Sequence, residues 1–411
     1  MRKFIFIVGL LFLAPAVTQA KTLEELLVEK GVITKSEAAT SSNTAAAGTV
    51  TWKDGSRFSY PSEGITANVA TILQERYTYT DNDADSGVKN TSSFDTRRAR
   101  VLISGTALHE EFSYMLQGEF VGNDDGTSDN TKSPDLKDAY IAWKATDWLS
   151  LKFGQMRTAI SRQENTSPAK LQFVERSVTS DFFQLGRQQG MLATSSLMDG
   201  SIKIGAGVYN GESDGEGRNL SGQDTRHTGI LNMRVNAMGD TNSHNEGDEG
   251  DLEWTEDTSL SFGGAYAHSS ANNDVGAGLE NTNKDTFSVD ANLKSQGLSM
   301  HAEYYYQNQD ADSFSDSVDA NGFYVQAGYF LDPKVLEIAA RYALLDCDDG
   351  KAGGACAGND NLNQVAATIN YFFKKHNLKA QLGYEFNNQD KQDVGEDINT
   401  NKWVFQISAY M

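Results

Sequence analysis

Past its first twenty residues the chain has no run that approaches the ~20 consecutive apolar residues a membrane helix requires, so a bundle of spanning helices is excluded. Proline is scarce, at five residues, which suits long paired strands because each proline would remove a ladder donor. Basic charge is in deficit. Lys and Arg number 35 against 56 Asp and Glu, a net charge of -21, and so acidic a chain lacks the basic face that nucleic-acid binding needs. The six histidines (109, 227, 244, 268, 301 and 376) show no HExxH or other metal-ligand spacing, so neither a metal nor another cofactor is expected. Cysteine is limited to Cys347 and Cys356. Two thiols without a nearby histidine are too few for zinc, and an intraloop disulfide is the better reading in an exported chain.

Catalytic signatures are also missing. Gly211-Glu212-Ser213-Asp214-Gly215 spells a nucleophile elbow, but Glu216-Gly217-Arg218-Asn219 supplies no helix after the serine. Asp81-Asn82-Asp83-Ala84-Asp85 begins like a calcium loop and then places Ser86 and Ser92 where glycine and glutamate belong. Gly205 and Gly207 lie within a strand pattern with no phosphate-binding helix behind them. No enzyme is indicated.

What is present begins with an export signal. Arg2 and Lys3 precede an apolar run from Phe4 to Ala16, and Thr18-Gln19-Ala20 offers small residues for cleavage. Residues 1–20 are therefore read as a signal peptide; the run is short for a membrane anchor. Thr22 to Lys30 reads as a short helix with Thr22 and Glu25 as a capping box, and small residues from Ala38 to Gly48 form a linker. Residues 21–48 thus make a periplasmic helical segment, and 49–411 one further unit.

From Gly64 onward the apolar period becomes two. Phe112-Tyr114-Leu116 sits opposite Ser113 and Gln117; Phe287-Val289-Ala291-Leu293, Phe323-Val325-Ala327-Tyr329 and Trp403-Phe405-Ile407-Ala409 repeat the pattern. Alternation over about ten residues is the signature of a tilted strand with one face in lipid. Only alternate residues need be apolar, which accounts for a mean hydropathy of -0.49 in a membrane protein. The pattern yields about 16 strands, an even number, joined by long acidic loops alternating with tight turns such as Met198-Asp199-Gly200 and Asp332-Pro333-Lys334. The expected fold is all-β: a transmembrane antiparallel β-barrel. One stretch breaks the alternation, because Gly239 to Thr255 is long where a short turn belongs. The third long loop, 157–186, is too long to be idle and is expected to fold inward and narrow the lumen.

Strand parity assigns the charges. Arg76, Arg98, Arg100, Lys144, Lys152, Lys203, Arg234, Lys294, Arg341 and Lys379 face inward, against the acids Glu111, Glu119, Asp138, Asp290, Glu303, Glu337 and Glu385. Arg97 falls on the lipid face. Loop three adds Arg157, Arg162, Lys170 and Arg176 against Glu164, Glu175 and Asp181. A basic lumen within an acidic chain suits anions, and arginine donates bidentate hydrogen bonds to oxyanions. Arg98, Arg100, Lys152, Arg157, Arg162, Lys170 and Arg176 are the pore-lining candidates, with ordinary charge balancing the competing role. The acidic loops suit solvation, divalent-ion bridging to lipopolysaccharide or repulsion of anions near the mouth.

The segments LEELLVEKGVITKSEA (23–38), FDTRRARVLISGTA (94–107), LKDAYIAW (136–143) and LKFGQ (151–155) resemble the phosphate-selective porins O and P. So do GRQQGMLATSSLMDGSIKIGAGVYNG (186–211), VLEIAARYALLD (335–346) and NYFFKKHNLKAQLGYEF (370–386). The resemblance implies a sixteen-stranded homotrimeric porin of the Gram-negative outer membrane, with phosphate or other small anions as solutes and lipid and lipopolysaccharide around it. The alternative is a general or cation-preferring porin lacking a phosphate site. Two departures stand out: the chain ends Tyr410-Met411 where such barrels end in an aromatic residue, and its loops are unusually acidic.

Overall fold

The computed structural model describes residues 30, 49–52, 56–60, 64–82, 89–108, 110–121, 134–211, 226–239, 248–274, 279–312, 317–347, 359–391 and 397–411. The expected signal peptide, the helix from Thr22, Cys356 and Ser213 lie outside these residues.

Two short strands, β1 (Thr49–Trp52) and β2 (Ser56–Tyr60), precede sixteen that form the barrel. These are β3 (Ile65–Asn82), β4 (Thr91–Ala107), β5 (Phe112–Glu119), β6 (Asp135–Lys144), β7 (Leu149–Arg157), β8 (Arg187–Leu197), β9 (Ile202–Tyr209) and β10 (Thr228–Met238). The second half comprises β11 (Ser259–Asp274), β12 (Leu279–Ser295), β13 (Leu298–Ala311), β14 (Val318–Asp332), β15 (Leu336–Cys347), β16 (Asn359–Lys374), β17 (Leu378–Lys391) and β18 (Ile398–Tyr410). Each pairs antiparallel with the next, and β18 pairs with β3 from Thr400↔Asn82 to Tyr410↔Ile72, so the ring has no free edge. The backbone of Met411 continues that pairing by exchanging hydrogen bonds with Thr71. Where β18 ends, β2 takes over the edge of β3, pairing Ser56↔Val69 through Tyr60↔Ile65.

Burial alternates as the period-two pattern requires. Along β13, Ser299, His301, Glu303 and Tyr305 are buried while Met300, Tyr304 and Tyr306 are exposed. The exposed set is apolar and aromatic, the composition of a lipid-facing belt; the inner set is largely polar. Tight turns close the periplasmic ends. The turn after β12 is Gln296-Gly297, both with positive φ (49° and 85°), the geometry of a two-residue hairpin whose twist matches the strands.

Two connections turn inward. Loop three, 158–186, lies inside the barrel and carries the helices Arg162–Asn165 and Val178–Phe183. The second is part of the long connection after β10, whose Asp248 and Glu249 meet loop three inside the lumen. That contact explains the break in loop alternation: the segment is a strut, not a turn.

The candidate constriction

A loop buried inside a barrel must have its backbone groups satisfied by the wall or by itself. Loop three does so at each bend. Ser161 caps the first helix by accepting from Glu164 N (3.1 Å), while Glu303 of β13 accepts from Arg162 N at 2.6 Å and Ser161 Oγ at 3.0 Å. Gln172 donates to Glu337 (2.6 Å) and Ser299 (2.9 Å), and its carbonyl accepts from Asn370 and Gln381. Lys379 donates to the Leu171 carbonyl at 2.6 Å, and Gln74 to that of Pro168 at 3.2 Å. On the second helix, Phe183 is buried against Tyr324, Ala343 and Leu345 and stacks on Tyr305 with ring centroids 5.1 Å apart.

From below, Glu249 accepts from Gln172 N at 2.7 Å and Gln163 Nε2 at 2.8 Å, while its own amide donates to Lys170 O. Lys170 pairs with Asp248 at 2.6 Å. Sequence reasoning did not single out Glu249; the unusual length of the 239–255 connection was its only signal.

Charge on the outer side of loop three centres on Glu175. Its carboxylate receives Arg97 Nε at 2.6 Å, Arg76 Nη1 at 2.9 Å and Arg98 Nη2 at 3.0 Å. Burial alone would raise this carboxyl, but Arg98 and Arg97 hold it well below the usual carboxylate range. Arg97 does not face lipid, as strict alternation requires. Gln74 pairs with Arg98 and Glu75 with Thr96, so Arg97 is the extra residue of a β-bulge and is turned inward. Arg76, Arg97, Arg176, Lys284 and Lys402 face Glu175, Asp181 and Glu385 around an outer cavity of about 660 Å³.

The remaining candidates divide by partner. Arg98 is 4% exposed and also bonds Gln74 (2.8 Å); Arg100 pairs with Glu119 at 2.5 Å. Arg157 and Arg176 both donate to the carbonyls of Glu164 and Thr166, neutral acceptors that hold the loop without cancelling the charge. Arg162 pairs with Asp290 at 2.5 Å, and the Lys152 ammonium lies 4.4 Å from the centroid of the Tyr140 ring. Arg187, which was not among the candidates, grips Asp138 through two 3.1 Å hydrogen bonds. Cys347 is disulfide-bonded.

Beneath loop three, two cavities of about 340 and 380 Å³ share Asn165 as a border. One is lined by Arg162, Lys203 and Arg234 with Asp290; the other by Lys152, Arg157 and Lys170 with Asp138. Six cations and two carboxylates therefore line these two cavities, and a third carboxylate, Asp248, pairs with Lys170 beside them. Burial pushes the Glu164 carboxyl up to about 8 against the pull of Arg157, Arg176 and Arg187, so at neutral pH it subtracts little from that charge.

Known structures share this architecture. The outer-membrane channel DcaP of Acinetobacter baumannii superposes with a TM-score of 0.59 at 13% identity, over 85% of this chain and 98% of that one. An anion-selective porin from Comamonas acidovorans gives 0.55 at 14% identity over 84% and 99% of the two chains. OmpT of Vibrio cholerae in a trimer form gives 0.53 at 12% over 84% and 99%. At such identities the likeness is one of fold. No curated protein matches the chain in sequence. The sequence profile of the phosphate-selective porins O and P does match, from residue 69 to 408, nearly the whole barrel. With a closed sixteen-stranded wall and an inward third loop behind that match, the chain belongs to the phosphate-selective porin O and P family, as an outer-membrane β-barrel channel.

Proposed function

We propose that this channel passes small anions, phosphate among them, in preference to cations, as a passive homotrimer reached through secretory export and cleavage after Ala20. The observation that carries the reading is the lining of the two cavities beneath loop three, six basic side chains against Asp138 and Asp290, with Asp248 held by Lys170 beside them. A ring of fixed positive charge inside a low-dielectric wall raises the local anion concentration and repels cations. Two structural neighbours support it: the Comamonas porin is anion-selective, and OmpT occurs in a trimer form. The acidic excess of the whole chain does not oppose it, since many of those carboxylates lie in sequence between the strands.

A second reading, a general or cation-preferring porin without a phosphate site, draws on one specific arrangement. Arg76, Arg97 and Arg98 are already gathered on Glu175, and Arg100 on Glu119, so these four guanidiniums hold a built-in anion. The two readings separate in a planar bilayer under a salt gradient. The anion reading expects a reversal potential on the chloride side of zero; one on the cation side overturns it.

A further inference from the structure

The lumen of a wide barrel is ordinarily polar, yet here one inner wall carries an apolar band. Ile72, Leu102, Met115, Tyr140 and Met156 come from five consecutive strands, β3 to β7, and border the same 380 Å³ cavity beneath loop three. Register sets Met115 directly opposite Tyr140, and the other neighbours diagonal by two residues, since Leu102 opposes Ala70 and Gln117, and Tyr140 opposes Gly154. Leu102, Met115 and Tyr140 remain half-buried, so their apolar surface meets the cavity. Cations stand next to the band. The Lys152 ammonium sits over the Tyr140 ring, and Arg157 spends its hydrogen bonds on neutral carbonyls. The neighbouring carboxylate, Asp138, is occupied by Arg187.

Inorganic phosphate would gain nothing from such a wall, and the space is of the size that accepts a small organic ligand. We propose that this cavity is a subsite for small organic anions with an apolar body, of which an aromatic monocarboxylate is the fitting example. The carboxylate lies toward Lys152 and Arg157, and the ring lies against Leu102, Met115 and Tyr140. The proposal rests on the anion reading above and narrows it to a solute class.

The test is block of the chloride current through the full-length channel in a planar bilayer, with benzoate, acetate and inorganic phosphate as probes. Benzoate and acetate share a charge and a headgroup, so the ratio of their half-blocking concentrations isolates the apolar wall. Burial of the ring against that wall is expected to give benzoate an advantage of about tenfold. Met115→Ser alone, and Leu102→Ser with Met115→Ser, should shrink that ratio stepwise while leaving the reversal potential in chloride unchanged. Equal block by benzoate and acetate in the native channel overturns the subsite, as does a ratio unaffected by a folded Met115→Ser channel. A cation-selective native current would instead overturn the underlying anion reading.

Discussion

The guanidinium of Arg97 lies 2.6 Å from the carboxylate of Glu175, although simple strand alternation directs Arg97 to lipid. A single bulge residue thereby sets two adjacent arginines, with Arg76 beside them, on one loop carboxylate. Replacing it as Glu175→Gln removes the carboxylate that the three arginines share and leaves Asp95, which pairs with Arg76. Anion preference should rise, read as a reversal potential closer to the chloride limit, and stability should fall by about 3 kcal/mol, the usual cost of breaking a buried pair. An unchanged reversal potential would show that permeating ions do not sense this cluster.

Glu164 gives the lumen a pH dependence whose sign follows from its environment. Burial raises its carboxyl from an ordinary 4.5 to about 8, so the group is neutral at pH 7. As pH rises through that value it ionises between Arg157, Arg176 and Arg187, and anion preference should drop. A raised carboxyl stabilises the fold fully below its unfolded value and loses that contribution as pH rises through the folded one. Resistance to urea in liposomes should therefore decline from about pH 4.5 to about 8 and level off above it. Glu164→Gln should flatten both profiles; a wild-type reversal potential that is level from pH 6 to 9.5 would refute this account.

Sixteen strands could be located from the sequence because lipid on one side and water on the other impose a two-residue period that each strand displays. The inward loop was legible from length alone, since 157–186 is too long to be idle. Arg97 was not legible. A bulge is set by pairing between Gln74-Glu75 and the opposite strand, and nothing in FDTRRAR marks where it falls. Parity placed Arg98 and Arg100 in the lumen but could not supply their partners, because Glu175 and Gln74 reach Arg98 through the fold. Glu249 escaped for a related reason: the odd length of its segment was visible, the direction in which it folds was not.

The strut can be tested apart from charge selection. Glu249 is 7% exposed and holds loop three through Gln172 and Gln163. Glu249→Ala leaves the Gln172 amide without an acceptor, a loss of about 1–3 kcal/mol for a buried group, and leaves Gln163 Nε2 with Gln326 alone. Loop three should then fluctuate, raising open-channel current noise and mean conductance in single-channel recordings. A variant as quiet as the native channel would mean that the wall contacts alone fix the loop.

Phe183 anchors the other end of the same loop, stacked on Tyr305 and enclosed by Tyr324 and Leu345. Phe183→Ala empties that site and should cost about 3–5 kcal/mol, the range for a buried phenylalanine. Since the sixteen-strand ladder is closed without it, the barrel should still form while the loop loosens. Heat-modifiable migration in detergent gels should persist and single-channel conductance should increase. Native conductance in this variant would show that the stacking is not what holds the loop in place.

The two faces of the wall predict opposite responses to the same new side chain. Val289 lies at the middle of β12 with 41% of its surface exposed, in the belt that meets lipid. Val289→Arg should destabilise the folded barrel by about 2–4 kcal/mol, the cost of arginine near the bilayer midplane. Gln389 of β17 borders the outer lumen cavity instead. Gln389→Arg places its charge in water, so folding yield in liposomes should stay near native while anion preference rises. If both variants fold equally well, Val289 does not meet hydrocarbon, and the inside and outside assigned to this wall are wrong, because only a lipid-facing position makes the arginine costly.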